Sequence, residues 1–265
     1  MGQNAEERQD DLHDTETGMS QDVNALGQPV GPPVVNWLPP VHPPLDPMAG
    51  RFCRLEPLDV ARHAADLQRA NMLDAEHRNW TYLPYGPFET LEGYAAWAAG
   101  VAVLSDPQFW AIVDSENGKA VGVAAYLRID QKAGSIEVGH INYSPLLQRR
   151  PAATEAMYLM MRRAFRSGYR RYEWKCDALN APSRRAAERL GFSYEGLFRQ
   201  AAVYKGRNRD TAWYAAIDRE WPALDEAFQR WLEPLNFDEG GHQRVSLRDL
   251  TSRIVPPARI VSIGT

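Results

Sequence analysis

The sequence predicts a mixed α/β fold in one domain with a tail at each end. Short segments between residues 51 and 143 alternate apolar and polar side chains, which is the period of half-buried strands. After residue 150 the apolar spacing switches between helical and strand periods, which indicates a βαβ unit. The chain has 265 residues, 44% of them hydrophobic, so it is long enough for a sizeable core. We therefore expect a central, mostly antiparallel sheet flanked by helices.

The first 50 residues differ in composition from the rest of the chain. Residues 1–27 are acidic and poor in large apolar groups, so we expect a flexible acidic tail. Residues 28–50 hold eight of the 19 prolines, which favours an extended, proline-rich arm. This arm either binds an aromatic groove of a partner or packs along its own domain, anchored by Trp37, and we favour the second arrangement.

The predicted domain spans residues 51–237 and begins with strands and two helices. Asp59 is a suitable N-cap for a helix after the opening strand, and Asn117-Gly118 is a hairpin turn between two apolar runs. An aromatic loop at 80–88 separates the two helices. The elements predicted here are a strand at 52–58, helices from Asp59 to about Leu73 and at 90–104, and strands at 109–113, 120–129 and 135–143.

The second half of the domain alternates between helix and strand. Residues 152–166 place alanine and methionine on one helical face, and Gly168 and Gly191 follow two of the helices as C-caps. The elements predicted here are helices at 152–166 and 182–190, strands at 171–176, 194–203 and 211–217, and a final amphipathic helix at 222–237. Residues 238–265 are expected to form a C-terminal extension.

The net charge of −4 is unevenly distributed along the chain. Residues 1–25 carry seven acids against Arg8 alone, a net charge of −6. Residues 149–209 carry 13 of the 26 arginines and two lysines against five acids, a net charge of +10. Such a basic segment either faces a polyanion, such as a phosphate-bearing cofactor or a nucleic acid, or belongs to solvated helix faces.

Several classes of function are disfavoured by the composition. Two cysteines, Cys53 and Cys176, do not form a disulfide scaffold or a Cys-rich zinc site, and the six histidines are scattered, so no metal is expected. No long uncharged apolar run or secretory signal is present, so we expect no membrane contact and a cytoplasmic protein. Dinucleotide-binding, Walker, zinc-protease and serine-hydrolase motifs are also missing.

The segment Gln148-Arg149-Arg150-Pro151-Ala152-Ala153-Thr154 lies between a predicted strand and an amphipathic helix. A helix start presents unpaired N–H groups and the positive end of the helix dipole, and small residues let an anion approach them. Pro151 suits the first helical position because its missing N–H is not needed there. The segment is therefore either a phosphate-binding loop or an ordinary capped helix start.

A second constellation begins at Asn180, which precedes a short helix, and continues with Ser183 in its first turn. These two residues are also the usual types for a helix cap. Over residues 51–221 the chain nevertheless resembles the GNAT superfamily of acetyltransferases. The resemblance lies in the order of its elements: a strand, the Q-R-R-P-A-A-T helix, a strand, the N-x-x-S helix and L-G-F. The similarity is to the branch that acetylates alanine or serine N-termini of ribosomal proteins. Its other markers are Ile136 to His140 and Glu195 to Ala201.

The resemblance implies a GNAT acyltransferase fold and acetyl-CoA as co-substrate. In this family two central parallel strands, here about 135–143 and 170–176, splay apart around the pantetheine arm. Backbone groups of Ile141 and Tyr143 would pair with the pantetheine amides, Asn180 would hold the arm, and the loop would bind the pyrophosphate. The cofactor-binding residues implied are Ile141, Tyr143, Gln148, Arg149, Arg150, Pro151, Ala152, Ala153, Thr154, Asn180 and Ser183.

The family reaction is direct attack of an amine on a thioester. Glu137, on a central strand, is the candidate base through a water, and the alternative is a strand glutamate paired with an arginine. The resemblance implies Ser183 as proton donor to the thiolate. His140 lies at the opposite strand parity from Glu137, so we expect it to be packed or hydrogen-bonded. Trp80, Tyr82 and Tyr85 are the candidate acceptor-binding residues.

The sequence departs from the family pattern at four positions. The usual loop glycines are Pro151 and Ala153. The tyrosine that protonates the thiolate in many members falls on Ala187, and a glutamate found in some members falls on Ala202. These departures affect the assignment of the base and acid more than cofactor binding, because the backbone donors remain.

The predicted function is therefore acetyl-CoA-dependent N-acetylation of a primary amine, with a protein N-terminus as the expected acceptor. Acetylation of a small-molecule amine is an alternative, as are a CoA-binding protein without activity and a nucleic-acid-binding module. A nucleic-acid partner is disfavoured, and a monomer or a homodimer is compatible with the sequence.

Overall fold

The computed structural model describes residues 22–254, which fall into two units divided between Leu38 and Pro39. In the first unit, strand β1 (Asp22–Val23) pairs antiparallel with β2 (Pro29–Val30). The Asn24 side chain stabilises the turn by accepting hydrogen bonds from the backbone N–H groups of Leu26 and Gln28. Residues 1–21 of the predicted tail lie outside the described residues, and anchoring by Trp37 stays a prediction.

The second unit is built on an eight-stranded sheet with the order β3-β4-β5-β6-β7-β8-β10-β9. Neighbouring strands are antiparallel except β7 and β8, which are parallel. The predicted mixed α/β fold with a mostly antiparallel sheet is therefore confirmed. The strands are β3 (Met48–Ala49), β4 (Cys53–Pro57), β5 (Gln108–Asp114), β6 (Ala120–Asp130), β7 (Ser135–Tyr143), β8 (Arg171–Asp177), β9 (Ser193–Tyr204) and β10 (Arg207–Ile217).

Helices cover both faces of this sheet. The helices are α1 (Val60–Asn71), α2 (Leu91–Ala102), α3 (Pro151–Arg166), α4 (Ala181–Arg189), α5 (Trp221–Leu232) and α6 (Leu247–Thr251). Helices α1 and α2 enclose one apolar cluster with β5 and β6, and α3 to α6 enclose the larger one on the other face. Asp59 caps α1 as predicted, since its carboxylate accepts from the Arg62 N–H at 2.8 Å.

The prediction of a single helix over 222–237 was wrong at its C-terminal end. Helix α5 ends at Leu232 because Glu233 precedes Pro234 and takes an extended conformation, with ψ of 137°. A short 3₁₀ turn over Pro234–Asn236 follows. Residues 238–254 then continue the same core, where Leu247 and Thr251 are fully buried.

The second half of the proline-rich segment, residues 39–50, packs along the second unit. Prolines donate no backbone N–H, so this stretch is held mainly through its carbonyl oxygens. Gln131, Tyr169 and Gln108 donate side-chain hydrogen bonds to the carbonyls of Pro40, Val41 and Pro43, at 2.9, 3.2 and 2.8 Å. Arg163 donates to the carbonyls of Pro44 and Asp46 in the same way.

Two irregularities of β7 shape the centre of the sheet. Its parallel pairing with β8 ends at Val138 opposite Trp174, although both strands continue beyond these residues. On its other side, residues 140 and 141 stand opposite Ala124 alone, and His140 has a φ of 50°. This β-bulge turns the strand locally and redirects its side chains. The central strands therefore open as a cleft.

Candidate active site

A cavity of about 220 Å³ occupies the opening between β7 and β8. Five of the residues predicted to bind or to catalyse line it, although they lie far apart along the chain. These residues are Tyr82, Glu137, Ile141, Asn180 and Ser183. The diverging strands supply Glu137 and Ile141, and the first turn of α4 supplies Ser183.

The sequence left Glu137 either as a general base or as a strand glutamate paired with an arginine, and the structure shows features of both. Its carboxylate is 3% exposed and lines the cavity, and it lies 2.8 Å from Arg128 Nη1 and 3.0 Å from Lys175 Nζ. Burial raises the pKa of Glu137, and the two cations oppose that rise. The residue is therefore both an ion-paired strand glutamate and a carboxylate with increased basicity at the cavity.

Ser183 and Asn180 are oriented by their neighbours. The Asn180 side chain accepts a hydrogen bond from the Ser183 N–H at 3.1 Å, so Asn180 is the N-cap of α4. The indole N–H of Trp174 donates to Ser183 Oγ at 3.0 Å. Because that bond occupies a lone pair of Oγ, the Ser183 hydroxyl proton is directed to another acceptor, and the Cys176 sulfur lies within its reach.

The His140 ring packs on Phe109, which through Ala125 shares a sheet face with Gly139 and Glu137, so the opposite parity expected from the sequence is wrong. The bulge inserts an extra residue and returns His140 to the face that carries Glu137. The expectation that His140 is packed and hydrogen-bonded agrees with its contacts. Its Nδ1 lies 3.2 Å from the Tyr85 hydroxyl, and its ring contacts the rings of Tyr85 and Phe109.

The predicted anion-binding loop forms the start of α3, with Arg150 as N-cap and Pro151 at the first helical position. Arg149 and Arg150 are exposed, whereas Ala152, Ala153 and Thr154 are buried. The Thr154 hydroxyl accepts from Arg189 at 3.1 Å, which links α3 to α4.

Gln148 and Tyr143 are bonded to each other rather than to the cavity. The Gln148 side chain donates to the Tyr143 carbonyl at 2.9 Å, and Asn79 donates to the same oxygen at 3.0 Å. The Tyr143 hydroxyl donates to the Ala153 carbonyl at 3.3 Å. These contacts fix the loop to the end of β7.

The structure does not bring all three candidate acceptor residues to the cavity. Trp80 is 3% exposed and packs against Tyr85 and Phe88 in the cluster beneath α1 and α2. Tyr85 lies in that same aromatic group. Tyr82 does line the cavity, and its hydroxyl donates to the Leu179 carbonyl at 3.3 Å.

Comparison with known families decides the class of this fold. The family model described as "Acetyltransferase (GNAT) domain" matches residues 53–193, more than half of the chain. The chain belongs to the GNAT acetyltransferase family. It is therefore an N-acetyltransferase, and GNAT acetyltransferases use acetyl-CoA.

Solved structures agree with this assignment. A GCN5-related N-acetyltransferase from Brucella melitensis is 46% identical, with a TM-score of 0.80 over 82% of this chain and 98% of that one. A probable GNAT acetyltransferase from Chromobacterium violaceum ATCC 12472 is 41% identical, with a TM-score of 0.69 over 74% and 98% of the two chains. RimL, described as a ribosomal L7/L12 α-N-protein acetyltransferase, is 20% identical, with a TM-score of 0.57 over 65% and 94%, which shows a shared fold. No curated protein matches the chain.

Three cations of this GNAT acetyltransferase were missed by sequence reasoning. Arg128, Lys175 and Arg209 all line the cavity. One signal for Lys175 is present in β8, where charged residues at 173, 175 and 177 alternate with the buried Tyr172, Trp174 and Cys176. Arg128 and Arg209 lie next to β-bulges, whose positions a simple alternation does not reveal.

Neither a metal cluster nor a membrane-spanning helix is found in the GNAT protein between residues 22 and 254. No group of three or more metal-binding side chains occurs there. Within the same residues, every helix is too short or too polar to cross a bilayer. Cys53 and Cys176 are free and buried.

We expect the GNAT protein to lose stability in acid because of His140. Burial, together with the charges of Arg128 and Arg209, lowers the pKa of His140 from 6.5 to about 4. Unfolding raises its pKa, so the unfolded chain binds the proton more tightly, and stability falls as the pH drops from about 6.5 towards 4. The loss attributable to His140 is up to about 3 kcal/mol.

Urea unfolding at pH 7.5, 6 and 5 measures this effect. His63, whose pKa is also lowered by burial, contributes with the same sign, so the comparison is between the wild type and His140→Gln. The variant should show a shallower pH dependence. Equal losses of stability in both proteins would contradict the assignment to His140.

Proposed function

We propose that this GNAT acetyltransferase transfers an acetyl group from acetyl-CoA to the α-amine at a protein N-terminus, of the ribosomal serine or alanine type. The observation that carries the proposal is the end of the β7–β8 ladder at Val138 and Trp174, with a cavity at that point. The fold shared with RimL supports this acceptor class. The two free cysteines suit a reducing compartment, so we propose a cytoplasmic location.

The residues around the opening fit acetyl-CoA. Beyond Val138 the edge of β7 that faces β8 has no strand opposite it, so its backbone groups at 139–141 are available to pantetheine amides. Ile141 suits this role better than Tyr143, whose carbonyl already accepts from Asn79 and Gln148. The first turn of α3, with exposed Arg149 and Arg150 beside it, suits the pyrophosphate.

Acetyl-CoA supplies the thioester: the amine nitrogen bonds to the carbonyl carbon, the C–S bond breaks, and the thiolate takes a proton. The chain must first keep the amine neutral. An α-amine, with a pKa of about 7.7–8.0, needs about 3.5 kcal/mol less than a lysine side chain to lose its proton. Glu137 accepts that proton, directly or through a water, because burial makes its carboxylate more basic. This modest base favours α-amines.

Ser183→Ala should lower kcat about 10-fold or more, the loss expected for one hydrogen bond to a developing thiolate. Trp174 donates to the Ser183 oxygen and so directs the hydroxyl proton elsewhere in the cavity. Ser183→Thr, which keeps a hydroxyl, should retain more activity than the alanine variant. Steady-state release of CoA measures both variants, and wild-type turnover by Ser183→Ala would contradict the role.

The proposed function is tested by following thiol release from acetyl-CoA with peptides that begin with serine or alanine, and with small amines. We expect the peptides to be the better acceptors and acetyl-CoA to bind in calorimetry. Faster reaction of a small amine would instead indicate the small-molecule alternative. The proposal would be overturned if no acceptor released thiol and acetyl-CoA did not bind.

A further inference from the structure

Of the charged residues that line the cavity, all but Asp177 and Arg209 have a partner of opposite charge within 4.0 Å among residues 22–254. The acidic side chains that line it are Glu137 and Asp177. Glu137 is paired with Arg128 and Lys175, and Lys175 also pairs with Glu173 at 2.7 Å. The Asp177 carboxylate accepts from the Leu179 N–H at 2.8 Å and the Tyr204 hydroxyl at 2.7 Å.

Arg209 is the cation that this network leaves without an acidic partner. It lines the cavity and is half-buried, and no carboxylate within residues 22–254 lies within 4.0 Å of its guanidinium. Its contacts are neutral: Nε donates to Thr211 Oγ1 at 3.1 Å, and the guanidinium lies 5.8 Å from the centre of the Tyr204 ring. Four of its five N–H donors therefore remain for another acceptor.

The position of Arg209 is held by the surrounding hairpin. A β-bulge at Asp210 separates Arg209 from Thr211. The Asp210 carboxylate stabilises this bulge by accepting from the Gln200 N–H at 2.7 Å and the Asn208 amide at 3.0 Å. At the hairpin tip, Lys205 donates to the Trp80 carbonyl at 2.6 Å. The guanidinium is thus presented to the cavity by anchored backbone.

We propose that Arg209 forms a subsite for a carboxylate carried by the acceptor close to its amine. This inference rests on the proposed function, because it adds a second contact point to the acceptor whose amine meets Glu137. A guanidinium matches a planar carboxylate through two parallel hydrogen bonds. Arg209 and Glu137 line the same cavity of about 220 Å³, so the carboxylate that meets Arg209 belongs to the same residue as the amine or to the next one.

Two sources supply this chemistry: a peptide with an acidic residue directly after its N-terminal residue, and a free amino acid, whose own α-carboxylate stands beside its amine. The first is consistent with acetylation of protein N-termini, and the second is a small-molecule acceptor. Both require the same contact with Arg209, so substitution of Arg209 tests the subsite, and comparison of the acceptors distinguishes the sources.

The experiment compares two peptides that begin Ala-Glu and Ala-Gln and are otherwise identical, with free glutamate as a third acceptor. For the wild type we expect kcat/KM to favour the Glu peptide about 10-fold or more, through KM, as for a hydrogen bond to a charged group. Arg209→Gln should reduce this ratio to near one, and Arg209→Lys should give an intermediate ratio. Arg207→Gln, on the same hairpin but outside the cavity, should keep the wild-type ratio.

Calorimetry on CoA-saturated protein measures affinity for the same peptides and applies even where turnover is too slow to follow. Preference for the Glu peptide should be present in the wild type and lost in Arg209→Gln, while the Kd for acetyl-CoA stays unchanged. An Arg209→Gln variant that loses affinity equally for both peptides, or that binds acetyl-CoA more weakly, would overturn the subsite. If the enzyme acetylates both peptides equally well, the subsite is overturned and the proposed function stands. If it prefers free glutamate to either peptide, the subsite is supported, and the proposal that the acceptor is a protein N-terminus is overturned.

Discussion

Glu137→Gln is expected to lower kcat/KM about 100-fold, the lower end of the effect of a general base. The substitution keeps the shape of the side chain and removes its ability to accept a proton. It should disturb the fold little. Lys175 keeps its partner Glu173 at 2.7 Å, and the Arg128 side chain is 60% exposed, so water can solvate its charge. The Kd for acetyl-CoA and the melting temperature should therefore remain close to those of the wild type.

Glu195→Gln is the matched control for this prediction. Glu195 also pairs with an arginine, Arg171, but its side chain is 40% exposed and it does not line the cavity. It should retain wild-type kcat/KM in the thiol-release assay. If Glu137→Gln kept turnover within threefold of the wild type, Glu137 would be a structural ion-pair partner, the alternative that the sequence left open.

Glu155→Ala should lower the free energy of unfolding by about 4 kcal/mol, as expected for loss of several buried hydrogen bonds to a charged group. Glu155 lies in α3, is 4% exposed, and accepts from three consecutive backbone N–H groups, those of Arg51, Phe52 and Cys53, at 2.7, 2.6 and 2.9 Å. These bonds attach the entry to β4 to the central helix. A Cβ at Gly50 would lie 2.4 Å from the Glu155 carboxyl carbon, so glycine leaves the space that this carboxylate occupies.

Glu155→Gln provides a graded test of the same contact. The amide presents one N–H₂ group to backbone donors, so at least one of the three N–H groups loses its acceptor, and we expect a smaller loss of about 2 kcal/mol. Glu226→Ala, at an exposed position of α5, should change stability by less than about 0.5 kcal/mol. Urea unfolding followed by tryptophan fluorescence measures all three variants. A loss below about 1 kcal/mol for Glu155→Ala would show that these bonds contribute little.

Local patterns were sufficient to predict most of the secondary structure. The Asp59 cap, the Asn117-Gly118 hairpin turn and Pro151 at the start of α3 depend on neighbouring residues, so they can be recognised in the sequence. The final helix was predicted five residues too long, because amphipathic spacing continues past Leu232 whereas Pro234 ends the helix. The proline, rather than the apolar spacing, therefore sets this boundary.

The sequence by itself determined the fold class, the family resemblance and five of the residues that line the cavity, since helix caps, turns and period are local properties. Only the tertiary structure decided how those residues are used. The bulge at His140 changed which face its side chain takes, packing placed Trp80 in the core, and pairing across strands left Arg209 without an acidic partner. Strand register, burial and charge balance arise from contacts between residues distant in the chain, so alternation along one segment cannot specify them.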